Sequence, residues 1–219
     1  MTPIPWDQQL ARLLVKPLAR TPVSPNQITT VSLLLALGAG WLYASGDRGA
    51  ANWAAGLFVL ARFIDHADGE LARLTGKSSR FGYYYDYAVG ALSSTALFVG
   101  IGIGLRDVAL GKWLVGAGVT AGLCAPIAMG LALGVEARLG TGARGYPGFG
   151  GFELEDGIYL LAPITWLGAL MPFLVLAGTG QVIFCFCMLL KFVAAGPRVD
   201  TELPTPGARH LRLRRPDAS

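Results

Sequence analysis

Apolar residues along this chain do not alternate with polar ones. They run in long blocks, at roughly 27–45, 50–72, 81–104, 113–137, 157–177 and 180–196, separated by short stretches that gather Gly, Pro and charge. A bilayer core takes about 20 apolar residues per helical crossing, so the pattern predicts six transmembrane helices. A membrane β-barrel would instead show segments of about 10 residues in strict alternation. Ahead of the first block, "IPWDQQLARLLVKPLART" places Trp6, Leu10, Leu13 and Leu14 near one helical face and Arg12 and Lys16 toward another, the pattern of a helix lying in the membrane interface. After the last block, the Pro- and Arg-rich end reads as a disordered basic tail drawn to anionic lipid. The expected architecture is therefore all-α and polytopic: an interfacial amphipathic helix over 1–24, a six-helix membrane domain over 25–196 and a basic cytoplasmic tail over 197–219.

Composition agrees with the pattern, since 53% of residues are hydrophobic and 15% charged, which excludes an ordinary soluble domain. The net charge of +4 is explained by topology before nucleic acid, and no nucleic-acid partner is expected. Arg12, Lys16 and Arg20 precede the first block; Arg73, Lys77 and Arg80 lie between the second and third, and Arg138 and Arg144 between the fourth and fifth. Lys191 and five arginines from Arg198 to Arg215 come at or after the end of the last. The opposite connections hold Arg48, Arg106 and Lys112, so the positive-inside rule places both termini and the Arg73–Arg80 connection in the cytoplasm, the setting being a bacterial cytoplasmic membrane. Asp7, Pro3, Pro5 and Pro17 interrupt any signal-peptide core, and a retained N-terminus is expected. Cys124, Cys185 and Cys187 fall inside the apolar blocks and suggest neither a disulfide framework nor a zinc site.

The stretch "FIDHADGELARLTGKSSRFGYYYDYAVGAL", Phe63 to Leu92, breaks the apolar pattern where a bilayer would make charge costly. On a helix at about 100° per residue, Asp65, Asp68, Gly69, Ala72 and Gly76 share an arc of about 100°. Two carboxylates thus stand on one face with residues that have almost no side chain. Gly82 and Asp86 share a face of the following helix and can return a third carboxylate beside them. Carboxylate oxygens are hard ligands for Mg2+, Mn2+ or Ca2+, and the small residues leave room for a polyanion such as a diphosphate. Two alternatives stay open: structural ion pairs of the aspartates with Arg62, Arg73 and Arg80, and a cation pathway of a coupled transporter.

Read as a pattern, Asp65-x2-Asp68-Gly69-x2-Ala72-Arg73-x8-Gly82-x3-Asp86 resembles the signature of the CDP-alcohol phosphotransferases, and "SPNQITTVSLLLALGAG" from Ser24 is similar to the opening of that family's first span. The resemblance implies a dimer with a two-metal site that usually holds Mg2+ or Mn2+. It further implies transfer of a phosphoalcohol group, in phospholipid-type synthesis, from a CDP-alcohol donor to an alcohol or lipid acceptor, with release of CMP. Asp65, Asp68 and Asp86 would be catalytic metal ligands, and Gly69, Ala72, Arg73 and Gly82, with Asn26 and Thr29 nearby, would line the site of the CDP moiety.

In one place the chain departs from that signature, which ends Asp-x3-Asp with its last carboxylate as general base; here the position is Gly90. A catalytically silent relative that only binds a CDP-alcohol or lipid headgroup is the alternative this raises. For an active enzyme, Glu153, Glu155 and Asp156 offer a substitute base, or else acids that favour the start of a helix. His66 lies about 100° around the helix from Asp65 and is expected to face a neighbouring span. The Gly-rich stretch before Glu153 lacks the Gly-Lys-Ser/Thr of a P-loop and reads as a mobile cytoplasmic loop.

Overall fold

The computed structural model describes residues 13, 15–140, 148–149 and 152–196, with only the backbone at 148, 149 and 152–156. The expected helix over 1–24 lies mostly outside the described residues, as does the tail over 197–219. Of the N-terminal segment, Val15 is buried and, together with Leu18, Ala19 and Val23, packs against Phe63, Ala67 and Leu71; a single 3-10 turn spans Leu18–Arg20.

The chain is almost entirely helical: α1 Pro25–Ala44, α2 Arg48–Thr75, α3 Arg80–Gly104, α4 Gly111–Leu139, a 3-10 segment Leu154–Leu160 running into α5 Leu161–Trp166, and α6 Leu170–Ala194. Within the expected loop, Gly148–Phe149 (β1) and Phe152–Glu153 (β2) pair antiparallel. Four of these helices, α1, α3, α4 and α6, are long and apolar enough to cross a membrane. With 28 residues, α2 matches them in length, but its second half carries Arg62, Asp65, Asp68, Glu70 and Arg73.

Local chemistry sets the helix ends. Ser24 and Gln27 form a reciprocal capping box with Pro25 in the first turn of α1, Asp47 caps α2 through the Ala50 N–H, and Ser79 caps α3 through the Gly82 N–H. Gly76 closes α2 at φ 66°, a left-handed conformation that lets the chain reverse into Ser79 within three residues.

The expected boundaries of the last two spans, 157–177 and 180–196, require correction. The chain turns at Gly168, φ 76°, and α6 then runs unbroken through Gly178 and Gly180. Gly178 packs against Ala121 of α4, whereas a Cβ on Gly180 would meet nothing within 4 Å, and neither glycine breaks the helix. The apolar stretch before the turn forms only a short helix, Gly157–Trp166. Its ends are tied to α1 and α2: Tyr159 to His66, the Thr165 hydroxyl to that of Tyr43, and the Trp166 indole N–H to the Asn52 carbonyl.

In the packing order α1 is central, lying against both α2 and α3; α4 packs on α3, α6 on α4 and α5 on α2. The buried face of α1 is built from Thr29, Ser32, Ala36, Ala39, Gly40 and Tyr43. Where α1 meets α3, a Cβ on Gly40 would stand 2.6 Å from the Ala96 carbonyl oxygen. Leu34, Leu37 and Trp41 point outward from α1, as do Leu176, Ile183, Phe186 and Leu190 from α6, as expected of helices solvated by lipid.

Candidate active site

Asp65 and Asp68 reach the site from α2 and Asp86 from α3, each within a few turns of the connection that joins the two helices. One oxygen from each carboxylate lies within 4.8 Å of the others. The expected juxtaposition of three carboxylates is therefore present, and it depends on α1. Thr29 donates its hydroxyl to Asp68, and Ser32 donates to Asp65 at 3.2 Å, so the two α2 carboxylates are aimed by side chains of the central helix. Tyr85 of α3 meets the Thr30 hydroxyl of α1 at 2.9 Å.

The arginines divide between structural and site roles. Arg62 pairs with Asp65 at 2.7 Å, one of the ion pairs the sequence left open. Arg73 pairs with Glu70, also at 2.7 Å, and not with an aspartate of the cluster. Glu70 is buried while Arg73 is half exposed, so the ion pair fixes the guanidinium at the edge of the groove. Asp68 is 5% exposed and, among the described residues, makes no ion pair. A buried carboxylate held by a neutral hydroxyl and crowded by two others is costly. A hard divalent cation shared by the three would offset that cost, and an all-oxygen donor set suits one.

Beside the carboxylates lies a groove of about 210 Å³, lined by residues of α1, α2, α3 and the α2–α3 turn. Asn26, Thr29, Gly69, Ala72, Arg73 and Gly82, all singled out from the sequence, line it together with Asp68 and Asp86. Gly82 lies close against Asn26 and Ser79: a Cβ there would sit 3.0 Å from the Asn26 side-chain oxygen and 3.1 Å from the Ser79 hydroxyl. Asp65 is not part of this lining. His66 turns away to Tyr159, with its Nδ1 3.3 Å from the phenol oxygen. Glu153 lies on β2 and Glu155 and Asp156 at the start of the 3-10 segment, their side chains outside the described residues.

Lys77, Ser78, Ser79 and Tyr83 also line the groove and were not picked out from the sequence. Their signal was a basic residue and two hydroxyls in the tight turn between the halves of the motif. A second omission is Glu136, a buried carboxylate in the last turn of α4 that accepts hydrogen bonds from Tyr83 at 2.6 Å and Tyr87 at 3.4 Å. A lone acid at the end of an otherwise apolar block was the available clue.

The sequence profile of the CDP-alcohol phosphatidyltransferases matches residues 22–193. The chain belongs to this family. It is 32% identical over 100 residues to the archaetidylinositol phosphate synthase of Pyrococcus horikoshii, a match covering 46% of this chain and 52% of that protein. It is 35% identical over 92 residues to the phosphatidylinositol phosphate synthase of Corynebacterium glutamicum, covering 40% and 41%. The chain thus spans about half the length of the curated relatives it matches. Two solved structures share the fold, both of Mycobacterium tuberculosis phosphatidylinositol phosphate synthase. The one with CDP-DAG bound has a TM-score of 0.63 at 21% identity, over 90% of this chain and 99% of that one. The one in complex with manganese and citrate has 0.63 at 22%, over 88% and 93%.

Proposed function

We propose that the protein is a membrane phosphotransferase that moves a phosphoalcohol group, the phosphatidyl group of a CDP-diacylglycerol in the first instance, to an acceptor hydroxyl and releases CMP. The observation that carries this reading is the convergence of Asp65, Asp68 and Asp86 beside a groove that also presents Arg73 and Lys77. Family membership supports it, as do the relatives named as synthases of inositol phosphate lipids.

Asp65, Asp68 and Asp86 would hold Mg2+ or Mn2+, which neutralises the donor diphosphate and makes its phosphorus more electrophilic. The chain's own residues do the rest. Arg73, held by Glu70, and Lys77 offer cationic donors to the phosphate oxygens, and Gly69, Ala72 and Gly82 let the diphosphate lie close to the backbone. Thr29, Ser32 and Arg62 keep the carboxylates in place before the donor arrives. Arg73→Ala is accordingly expected to weaken CDP binding about tenfold or more while cytidine binding changes little, measured by calorimetry with Mn2+ present. Equal losses for both ligands would remove Arg73 from the phosphate site.

The same reading takes the segment 154–166 as a fifth crossing. Seven 3-10 residues and six α residues rise about 23 Å, and the ties from Trp166 and Tyr159 meet α2 at Asn52, near its start, and at His66, in its second half. Six crossings then leave both termini and the groove on the cytoplasmic side, in accord with the charge distribution. A homodimer is part of this proposal through the family resemblance.

The decisive assay is CMP release by purified protein with Mn2+ and CDP-diacylglycerol, against inositol phosphate, glycerol phosphate, inositol and serine as acceptors. Acceptor-dependent CMP release that chelation abolishes is the expected result. Gly90 favours one other reading, binding without chemistry. Metal-dependent CDP binding with no CMP release from any pair would establish that reading instead.

A further inference from the structure

Transfer to a hydroxyl leaves a proton to be placed, and Gly90 has no side chain to take it. A Cβ on Gly90 would meet the terminal methyl of Met129 on α4 at 3.3 Å. Seven residues further along α4 comes Glu136, opposite Tyr83, which is seven residues back along antiparallel α3. The Tyr83 hydroxyl donates to Glu136 Oε2 at 2.6 Å, and Tyr83 lines the same groove as Asp68 and Asp86. Its ring is held by those of Tyr87, centroids 5.1 Å apart, and Tyr84, 5.5 Å apart.

Glu136 is 5% exposed and sits in the last turn of α4, where the helix dipole disfavours a negative charge. The hydroxyls of Tyr83 and Tyr87 both donate to its Oε2, which holds the buried carboxylate toward the two tyrosines. What the position provides is a proton acceptor one hydrogen bond behind the groove wall.

We propose that Glu136, acting through the Tyr83 hydroxyl, accepts the proton of the acceptor alcohol. The inference rests on the transferase reading above. As the acceptor oxygen bonds to the β-phosphorus of the CDP-alcohol, its proton passes to the Tyr83 oxygen and the phenol proton passes to Glu136 Oε2. The bond from that phosphorus to the bridging oxygen breaks, and CMP leaves with the electron pair. Tyr83 is the group that meets substrate; Glu136 acts through it.

The test compares Glu136→Gln, Glu136→Asp, Tyr83→Phe and the double variant Glu136→Gln/Tyr83→Phe in the full chain, by CMP release with CDP-diacylglycerol and the acceptor that supports turnover. A positioned base contributes about 10² to 10⁴ in rate. Glu136→Gln and Tyr83→Phe are each expected to lower kcat about 100-fold or more, with KM for the donor and Mn2+-dependent CDP affinity within about threefold of wild type. The double variant should be no slower than the worse single one, because the two groups act as a unit. Glu136→Asp should recover part of the loss. A Glu136→Gln protein with wild-type kcat, or one that loses CDP affinity in step with rate, overturns the relay while wild-type turnover leaves the transferase reading intact. Absence of CMP release from wild type with every pair overturns that reading first, and the relay with it.

Discussion

Replacing Asp68 by asparagine is expected to lower CMP release by two to three orders of magnitude, roughly 3–4 kcal/mol of transition-state stabilisation. The direction follows from geometry. Asp68 is the buried member of three carboxylates within 4.8 Å, and its loss removes a charged ligand from any shared cation. The same change has the opposite effect on the metal-free protein. With no ion-pair partner among the described residues and two carboxylates beside it, Asp68 is an electrostatic cost to the fold, and a neutral amide still accepts the Thr29 hydrogen bond. The variant should therefore melt higher than wild type in chelator, and the rise in Tm that Mn2+ gives wild type should shrink or vanish. Unchanged turnover together with an unchanged Mn2+ shift would remove Asp68 from the cation site.

Gly40→Leu is expected to disable the protein from a distance of about 16 Å along α1 from Thr29. A Cβ at Gly40 would lie 2.6 Å from the Ala96 carbonyl oxygen and 2.9 Å from its carbon, which are backbone atoms that cannot rotate aside. Across the same contact, a Cβ on Gly100 would fall on the Gly40 carbonyl. Any side chain must push α1 off α3, at a cost of about 1–3 kcal/mol or more. Because α1 also carries Thr29 and Ser32 against α2, the displacement separates Asp86 from Asp65 and Asp68. Both detergent-measured Tm and Mn2+-dependent CDP binding should fall together. Gly38→Leu is the matched control: a Cβ there meets nothing within 4 Å, and the variant should behave as wild type. Equal behaviour of the two leucine variants would sink the argument that backbone contact at Gly40 holds the site together.

Several features were legible in the residues because their causes are local. Apolar blocks of bilayer length predicted helices that the structure contains at 25–44, 48–75, 80–104 and 111–139. The capping residues Ser24, Asp47 and Ser79 stand at those boundaries, where a side-chain oxygen meets an N–H three residues on. Helical periodicity alone put Asp65, Asp68, Gly69 and Ala72 on one face, and the motif spacing named Gly82 and Asp86. Tertiary structure decided what depends on residues far apart in sequence. Glycine reads the same whether it breaks a helix or lets two helices touch; the break is at Gly168, and the glycines near 180 lie inside a continuous helix. That α1 lies between α2 and α3, so that Thr29 aims a carboxylate 39 positions away, leaves no trace in periodicity. The pairing of Tyr83 with Glu136, 53 positions apart, is the same case. Hydrophobic pattern fixes which face of a helix is buried, but the partner across that face is chosen by packing of the whole bundle, and only there do a tyrosine and a lone buried acid become a pair.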